Sequence, residues 1–195
     1  LLALPEVKLG VFPGAGGTQR LPRLIGLSAA LDMILTGKNV RPKKALKLGL
    51  VDDVVEPGHL LKIAQQKAAA WAKEAPEKES RLTYSRLGFA ERITKQVLDH
   101  NFIGQHIVFQ KARQKVLKQS HGNYPAPLRA LEVIRIGLQD GPSKGYAAEA
   151  KEFGRLAVSD EARALMSIFF ATQTLKKDKG HAHPDTHAKV GGKVG

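Results

Sequence analysis

A loop of three glycines and a proline near the start of the chain constrains the fold more than any other segment. Residues 13–17 read PGAGG and follow LLALPEVKLGVF, in which Glu6 is the single acidic side chain. Glycine lets the backbone approach a ligand closely. A carboxylate at a strand end before such a loop can hold a proton next to a reacting carbon, and a helix that begins near Thr18 adds the positive end of its dipole.

The loop matches neither common nucleotide-binding motif. No Gly-Lys-Ser/Thr follows it, so it is not a Walker A loop, and Gln19 breaks the G-x-G-x-x-G pattern. A glycine-rich turn between a strand and a helix is common, so the residues alone leave its role open.

Composition excludes several classes of protein. A chain of 195 residues with 43% hydrophobic residues can bury a core and is not globally disordered. No apolar run approaches the ~20 residues of a membrane-spanning helix. Cysteine is absent, which excludes disulfides and Cys-ligated zinc. Three histidines lie in a Gly- and Pro-containing tail without helical period, so we predict no metal site at His181, His183 and His187.

The charge is strongly positive, with 31 Lys and Arg against 18 Asp and Glu. Such a balance suits nucleic acid, acidic lipid or a phosphorylated cofactor, but also a solvated surface or a segment whose acidic counterpart lies elsewhere. The basic residues have a second candidate role, which is to contact the phosphates of CoA or a membrane surface. Lys176 and Lys177 are candidates for such contacts, and the sequence assigns them no role. No nucleic-acid partner is predicted, because the aromatic residues near the basic stretch 77–122 form no RNA-binding signature: Tyr84, Phe89, Phe102 and Phe109.

Residues 1–57 are predicted to alternate strands and helices. We expect strands at 1–4 and 50–56, and helices at 18–26, 27–37 and 41–49. Expected caps are Thr18 and Ser28 at helix starts, Pro42 in a first turn, and Gly26, Gly37 and Gly49 at helix ends. This order indicates α/β layering.

Beyond residue 58 the pattern is helical. A helix is expected over 59–75, and two amphipathic stretches with a basic face over 77–122, where Lys111, Lys115 and Lys118 form one stripe. Three further helices, the last capped by Ser159, carry apolar stripes that predict packed faces: Leu128, Leu131, Ile134 and Leu138; Tyr146, Ala150, Phe153 and Ala157; Ala162, Leu165, Met166 and Phe169.

PEVKLGVFPGAGGTQRLPRLIG followed by AALDMILTGKNVRPKKALKLGLVDDVVE resembles the enoyl-CoA hydratase (crotonase) superfamily. GNYPAPLRALEVIRIGLQDG, AEAKEFGRLA and SIFFATQTLKKDKG narrow the resemblance to alpha subunits of fatty-acid oxidation complexes of the bacterial FadJ type, similar to the mitochondrial trifunctional alpha subunit. It implies an α/β chain, the C-terminal half of a ClpP/crotonase-like fold that is mostly helical after residue 58. The implied parts are core at 1–75, a helical insertion at 76–123, closing helices at 124–172 and a linker at 173–195.

The resemblance also implies a reaction. Enoyl-CoA hydratases add water across the double bond of a trans-2-enoyl-CoA, and related members isomerise Δ3- to Δ2-enoyl-CoA. Glu6 matches the family's second catalytic glutamate, which exchanges the proton at the alpha carbon, and Gly14 matches the glycine whose backbone helps to hold the water. Gly16 and Gly17 are expected to serve the turn. The family's first catalytic glutamate and its oxyanion-hole loops would precede residue 1, which would leave strands 1–4 and 50–56 without neighbours.

Cofactor, partners and compartment follow from the same resemblance. The chain itself needs no cofactor and takes acyl-CoA as substrate. An NAD-binding 3-hydroxyacyl-CoA dehydrogenase domain would follow the linker, with 189–195 as the possible start of its first strand, and a thiolase beta subunit would be the partner. A bacterial protein would be cytoplasmic, a eukaryotic one mitochondrial or peroxisomal. The alternative is a non-catalytic helical module, in which the helices of 77–172 organise the multienzyme complex.

We predict that the isolated 195-residue chain does not hydrate crotonyl-CoA. A positioned acid or base contributes ~10²–10⁴ in rate and an oxyanion donor ~10²–10³, and the chain would lack the first glutamate and both loops of the oxyanion hole. Loss of enoyl absorbance measures the reaction, with the full-length subunit as positive control. Turnover of the pure chain at the full-length rate would contradict the prediction.

Overall fold

The computed structural model describes residues 1–73 and 101–178. These ranges contain eight α-helices: α1 Gly17–Ile25, α2 Leu27–Thr36, α3 Pro42–Leu48, α4 Leu60–Lys73, α5 Phe102–Ser120, α6 Pro125–Gln139, α7 Pro142–Ala157 and α8 Asp160–Lys177. Two short 3₁₀ helices span Pro5–Leu9 and Pro57–His59. The mostly helical character expected after residue 58 is confirmed for these ranges. Tyr84, Phe89, the three tail histidines, 189–195 and the 76–100 part of the expected insertion lie outside the described residues.

The two predicted strands are not formed. Within the described residues, β pairing is limited to one antiparallel bridge, in which Leu2 and Val40 exchange backbone hydrogen bonds of 3.0 and 2.7 Å. Residues 50–56 form bends and extended backbone instead. A strand requires a neighbour whose backbone groups pair with its own. The described part of the chain offers no such neighbour to 50–56.

Proline and glycine set several helix boundaries as predicted. Pro42 occupies the first turn of α3. Gly37 and Gly49 end α2 and α3 in the left-handed conformation, and Gly26 ends α1. Because these glycines accept positive φ angles, the chain can turn sharply between helices.

The predicted N-caps at Thr18 and Ser28 are wrong. The capping positions are taken by Gly16 and Gly26, and each hydroxyl residue lies inside the first turn. Thr18 is instead buried, with its hydroxyl directed to another helix. Ser159 does cap α8, where its Oγ accepts a hydrogen bond from the Ala162 N–H at 3.2 Å.

The core lies where the first helices meet the later ones. Helix α1 packs on α2, α6 and α7, while α2 also contacts α5 and α6. Helix α8 contacts α7 and the Pro5–Leu9 turn. The largest fully buried apolar side chains come from both halves of the described chain: Phe12, Ile25, Leu27, Ile34 and Ile134. The N-terminal segment therefore packs against the later helices α6, α7 and α8.

The apolar stripes are confirmed to different degrees. In α6, Leu131 and Ile134 are buried and the other predicted members pack partly against the core. In α8, Ala162 is buried, whereas Phe169 is exposed together with Ile168 and Phe170. No helix of the described ranges is long and apolar enough to cross a membrane. Helix α8 continues to Lys177, past the domain boundary proposed at 172.

The α7 stripe is shifted from its predicted position. The buried residues of this helix are Gly145, Glu149 and Leu156, while the predicted Ala150 is exposed. A polar side chain, Gln19 of α1, lies beside Gly137 of α6 and Gly145 of α7. A Cβ atom on Gly137 or Gly145 would collide with the Gln19 side-chain oxygen, and one on Gly145 would also lie 2.6 Å from the Gly137 Cα, so the backbones of α6 and α7 leave no room for a side chain at Gly145.

We predict that Gly145→Ala destabilises the protein and Gly154→Ala stabilises it. Both residues lie in α7, but Gly154 has open space around its Cβ direction. At Gly154 the higher helix propensity of alanine should add about 0.5–1 kcal/mol. At Gly145 the new methyl group must displace Gln19, at a cost of about 1–3 kcal/mol. Chemical denaturation measures both changes, and equal signs for the two variants would contradict the proposed packing.

Candidate functional site

Glu6 lies in a turn of 3₁₀ helix, not at a strand end as predicted. The Pro5–Leu9 turn begins at Pro5 and places Glu6 in its first turn. Its Oε2 atom is buried and has no hydrogen-bond partner among the described residues. A buried carboxylate oxygen without a donor is costly in a folded protein, and a catalytic role is one explanation for such an atom.

Two close approaches fix this turn. Gly10 ends it with φ +78°, and a Cβ atom there would lie 2.7 Å from the Ala162 Cα of α8. On another side, a Cβ atom on Gly37 would lie 3.0 Å from the Pro5 Cα. The turn that carries Glu6 is thus held between the end of α2 and the start of α8, with little room to move.

Gly14 lies in the loop between this turn and α1. Its carbonyl accepts a hydrogen bond from the Gly17 N–H at 3.0 Å, and its own N–H donates to no group in the described part of the chain. A Cβ atom at this position would lie 3.4 Å from the Phe153 ring of α7. The Phe153 ring also packs edge-on against Phe12, with centroids 6.1 Å apart. Loop and helix are therefore in direct contact here.

The loop then takes an unusual backbone path. Ala15 and Gly16 both have positive φ angles, +51° and +86°. For alanine this conformation costs about 1–2 kcal/mol, so other contacts must maintain it. Gly16 is confirmed as a turn residue. A side chain on it would also meet Tyr146 of α7 at 2.8 Å.

The contact that maintains the path comes from Glu149, a side chain of α7 that is only 4% exposed. Its Oε1 accepts the Gly16 N–H at 2.6 Å. Its Oε2 accepts the Thr18 N–H at 3.1 Å and the Thr18 hydroxyl at 2.5 Å. A carboxylate from a distant helix thus satisfies the free N–H groups at the start of α1, where the helix dipole also favours negative charge.

Sequence reasoning missed Glu149 because it counted only apolar residues in the α7 stripe. Tyr146, Glu149 and Phe153 are spaced i, i+3 and i+7, so they share one helix face, and all three contact the loop. The sequence does carry a signal for the role of Glu149: it is a single acidic residue within an otherwise apolar stripe of α7. Such a residue predicts a buried carboxylate that must find donors elsewhere in the fold.

The polar contacts continue from Thr18 along α1. The Gln19 Nε2 donates to the Thr18 hydroxyl at 3.0 Å and to the Val133 carbonyl at 3.3 Å. Arg23 donates to the Gln19 carbonyl at 2.5 Å and to the Gly137 carbonyl at 2.6 Å. Thr18, Gln19 and Arg23 therefore attach α1 to α6 and α7, which gives these three side chains a structural role.

Basic residues cluster next to α2. Asp32 forms ion pairs with Lys38 and, at 3.8 Å, with Lys115. Burial lowers the pKa of Lys38, and the positive charges of Lys44 and Lys115 lower that pKa further. The cluster has more cations than carboxylates, which leaves positive charge at this surface.

Other candidate sites are not supported within the described residues. These residues contain no group of three His, Cys, Asp or Glu that could hold a metal ion. A cavity of about 570 Å³ between α5 and α6 is lined by residues 106–139, so it includes neither Glu6 nor Gly14. Lys176 and Lys177 lie in the last turn of α8, where cations stabilise the negative end of the helix dipole without any ligand.

Comparison with known proteins defines the class. The family model for enoyl-CoA hydratase/isomerase matches residues 1–121, and the chain belongs to this family. More particularly, the chain is similar to proteins named fatty acid oxidation complex subunit alpha. It is 47% identical over 180 residues to those of Shewanella putrefaciens CN-32 and Shewanella baltica OS155. The aligned region covers 92% of this chain and 24% of each relative. The chain thus spans about a quarter of the length of these relatives.

We predict that Gly10→Ala destabilises the protein by about 2–4 kcal/mol, from left-handed strain and from the collision with Ala162. Gly122→Ala is the matched control, because Gly122 has φ +81° but nothing within 4 Å of its Cβ direction. It should cost about 1–2 kcal/mol, from strain alone. Chemical denaturation gives both values. Equal losses would show that the close approach of α8 does not hold the Glu6 turn.

Proposed function

We propose that this chain forms part of the hydratase and isomerase region of a fatty acid oxidation complex alpha subunit, with Glu6 as a catalytic acid. The proposal rests on family membership and on one structural observation. The Glu6 Oε2 is buried and unpaired, in a turn fixed on two sides by neighbouring helices. A proton-transferring group needs this combination of a defined position and an oxygen that is not already occupied by protein donors.

The proposed reaction is addition of water to the double bond of a trans-2-enoyl-CoA. A second carboxylate, which the resemblance places outside these residues, removes a proton from water while the oxygen bonds to C3. The pair of electrons of the double bond moves toward the thioester, giving an enolate. Glu6 then delivers its proton to C2, and the product is 3-hydroxyacyl-CoA. Shuttling a proton between C4 and C2 by the same acid would give the Δ3-to-Δ2 isomerase reaction.

Gly14 is assigned to the water. Its N–H has no partner in the described part of the chain, so it is available to donate a hydrogen bond. Phe153 lies on one side of the glycine, 3.4 Å from the position that a Cβ atom would take. An N–H group in this setting could orient a water molecule for attack, which is the role that the family resemblance implies.

The wider assignments rest on the resemblance to the alpha subunits. They comprise an acyl-CoA substrate, an NAD-binding 3-hydroxyacyl-CoA dehydrogenase domain after the linker, a thiolase beta subunit as partner, and a cytoplasmic location. They also include the division into a core, an insertion at 76–123, closing helices and a linker from 173. The bacterial origin of the relatives supports the location.

A second role, as an interaction module, is favoured by α8. Beyond Met166 this helix exposes large apolar side chains: Ile168 is 62% exposed, Phe170 65% and Leu175 71%. Apolar patches of this kind often mark contact surfaces. This role concerns other residues than Glu6, so both functions can belong to one protein.

We predict that Glu6→Gln in the full-length subunit lowers kcat for crotonyl-CoA hydration by about 10²–10⁴-fold. KM should change by less than about twofold, since glutamine keeps the size of the side chain but cannot deliver the proton. The rate at which deuterium from heavy water is incorporated at C2 should fall by the same factor as kcat. Glu161→Gln, which removes an exposed carboxylate from the first turn of α8, is the control.

The assignment fails if Glu6→Gln retains the parental kcat while the subunit is folded. A melting temperature within about 2 °C of the parent is the criterion for folding; a shift of that size corresponds to less than about 1 kcal/mol in a domain of this size.

A further inference from the structure

We infer that Glu149 is a positioning residue for hydration: its carboxylate fixes the glycine loop and thereby sets where the Gly14 N–H holds the water. This inference rests on the proposed function. It adds a residue that lies 143 positions beyond Glu6 in the sequence and that belongs to the closing helices. It also assigns those helices a part in the chemistry.

The first step is that Glu149 controls the loop. Its two oxygens accept three hydrogen bonds, from the Gly16 N–H, the Thr18 N–H and the Thr18 hydroxyl. Gly16 follows Ala15, whose positive φ angle is costly for a residue with a Cβ atom, whereas glycine adopts positive φ readily. Because Glu149 holds the residue directly after the strained one, loss of its acceptor would let the loop relax.

The second step connects the loop to Gly14. The Gly14 carbonyl accepts the Gly17 N–H, so residues 14–17 form one hydrogen-bonded turn whose far end is held by Glu149. Phe153, one helical turn after Glu149, packs against Gly14 itself. The same face of α7 therefore contacts both ends of the turn, so a shift of one end would displace the other.

The third step concerns the reaction. A displacement of about 1 Å in a group that orients a reactant can lower the rate by about 10²-fold while binding is little affected. Both oxygens of Glu149 accept hydrogen bonds from Gly16 and Thr18. Its expected effect is therefore on kcat, through the position of the Gly14 N–H and the water.

The test is Glu149→Gln in the full-length subunit, with Glu152→Gln as the matched control. Glutamine keeps the shape but presents an amide to donors that need an acceptor. Glu152 lies in the same helix and pairs with Arg155 at 2.7 Å and with Arg129 of α6 at 3.7 Å, not with the loop. We expect Glu149→Gln to lower kcat by about 10–10²-fold with KM within about twofold, and Glu152→Gln to leave both unchanged.

Two further readouts separate positioning from general stability. Hydrogen exchange of a peptide covering residues 12–20 should accelerate in Glu149→Gln and not in Glu152→Gln. In a Glu6→Gln background, Glu149→Gln should lower kcat by less than about threefold, because groups that act together in one step are not additive. A residue that acts only through stability would lower kcat by the same factor in both backgrounds.

The outcomes are distinguishable. A parental kcat in Glu149→Gln, or an equal loss in Glu152→Gln, overturns the positioning role and leaves the proposed function intact if Glu6→Gln is inactive. A parental kcat in Glu6→Gln overturns the proposed function itself. If Glu149→Gln does not fold, Thr18→Val replaces it, since that variant removes the hydroxyl that donates to Glu149 and accepts from the Gln19 amide but keeps the Glu149 carboxylate and its backbone donors. A loss of kcat at unchanged KM in Thr18→Val supports the inference, and a parental kcat overturns it.

Discussion

The hydrogen bonds between the Glu149 carboxylate and the start of α1 connect the two halves of the described structure. The first N–H groups of a helix have no partner within the helix, and a buried carboxylate needs donors. Here the helix N–H groups donate to the carboxylate, so each group supplies the hydrogen-bond partner that the other lacks. Glu149 and Thr18 are 131 residues apart in the sequence. The Glu149 carboxylate of α7 therefore has its donors only when the glycine loop follows its strained path.

Small residues make this docking possible. Gly137 and Gly145 leave space for the Gln19 side chain between α6 and α7, and Gly10 lets α8 approach the Glu6 turn at Ala162. At each of these glycines, a larger side chain would collide with the neighbouring Gln19 side chain or Ala162 backbone and force the helices apart. Packed interiors respond to a single added methyl group, so the placement of the loop depends on glycines far from it in sequence.

Local features of the fold could be predicted from the sequence, and long-range features could not. Gly37, Gly49, Pro42 and Ser159 mark helix ends by their own conformational preferences, and the structure confirms them. The strand expected at 50–56 depended on a partner that local pattern cannot supply. Thr18 was assigned to its nearest helix start, whereas its hydroxyl bonds to a residue 131 positions away. The burial of Glu149 depended on tertiary contacts in the same way.

Two carboxylates near the glycine loop show how one chemical group can take two roles. Glu149 is 4% exposed, and its oxygens accept three hydrogen bonds, so it has little remaining capacity to exchange a proton with a substrate. Glu6 has a buried oxygen without a partner in the described structure. Leaving a buried acceptor unpaired costs about 1–3 kcal/mol, and the close contacts around Gly10 and Gly37 keep the turn from relaxing to remove that cost. The carboxylate with paired oxygens, Glu149, can therefore hold the loop, while Glu6 keeps a free oxygen for the proton transfer that we propose.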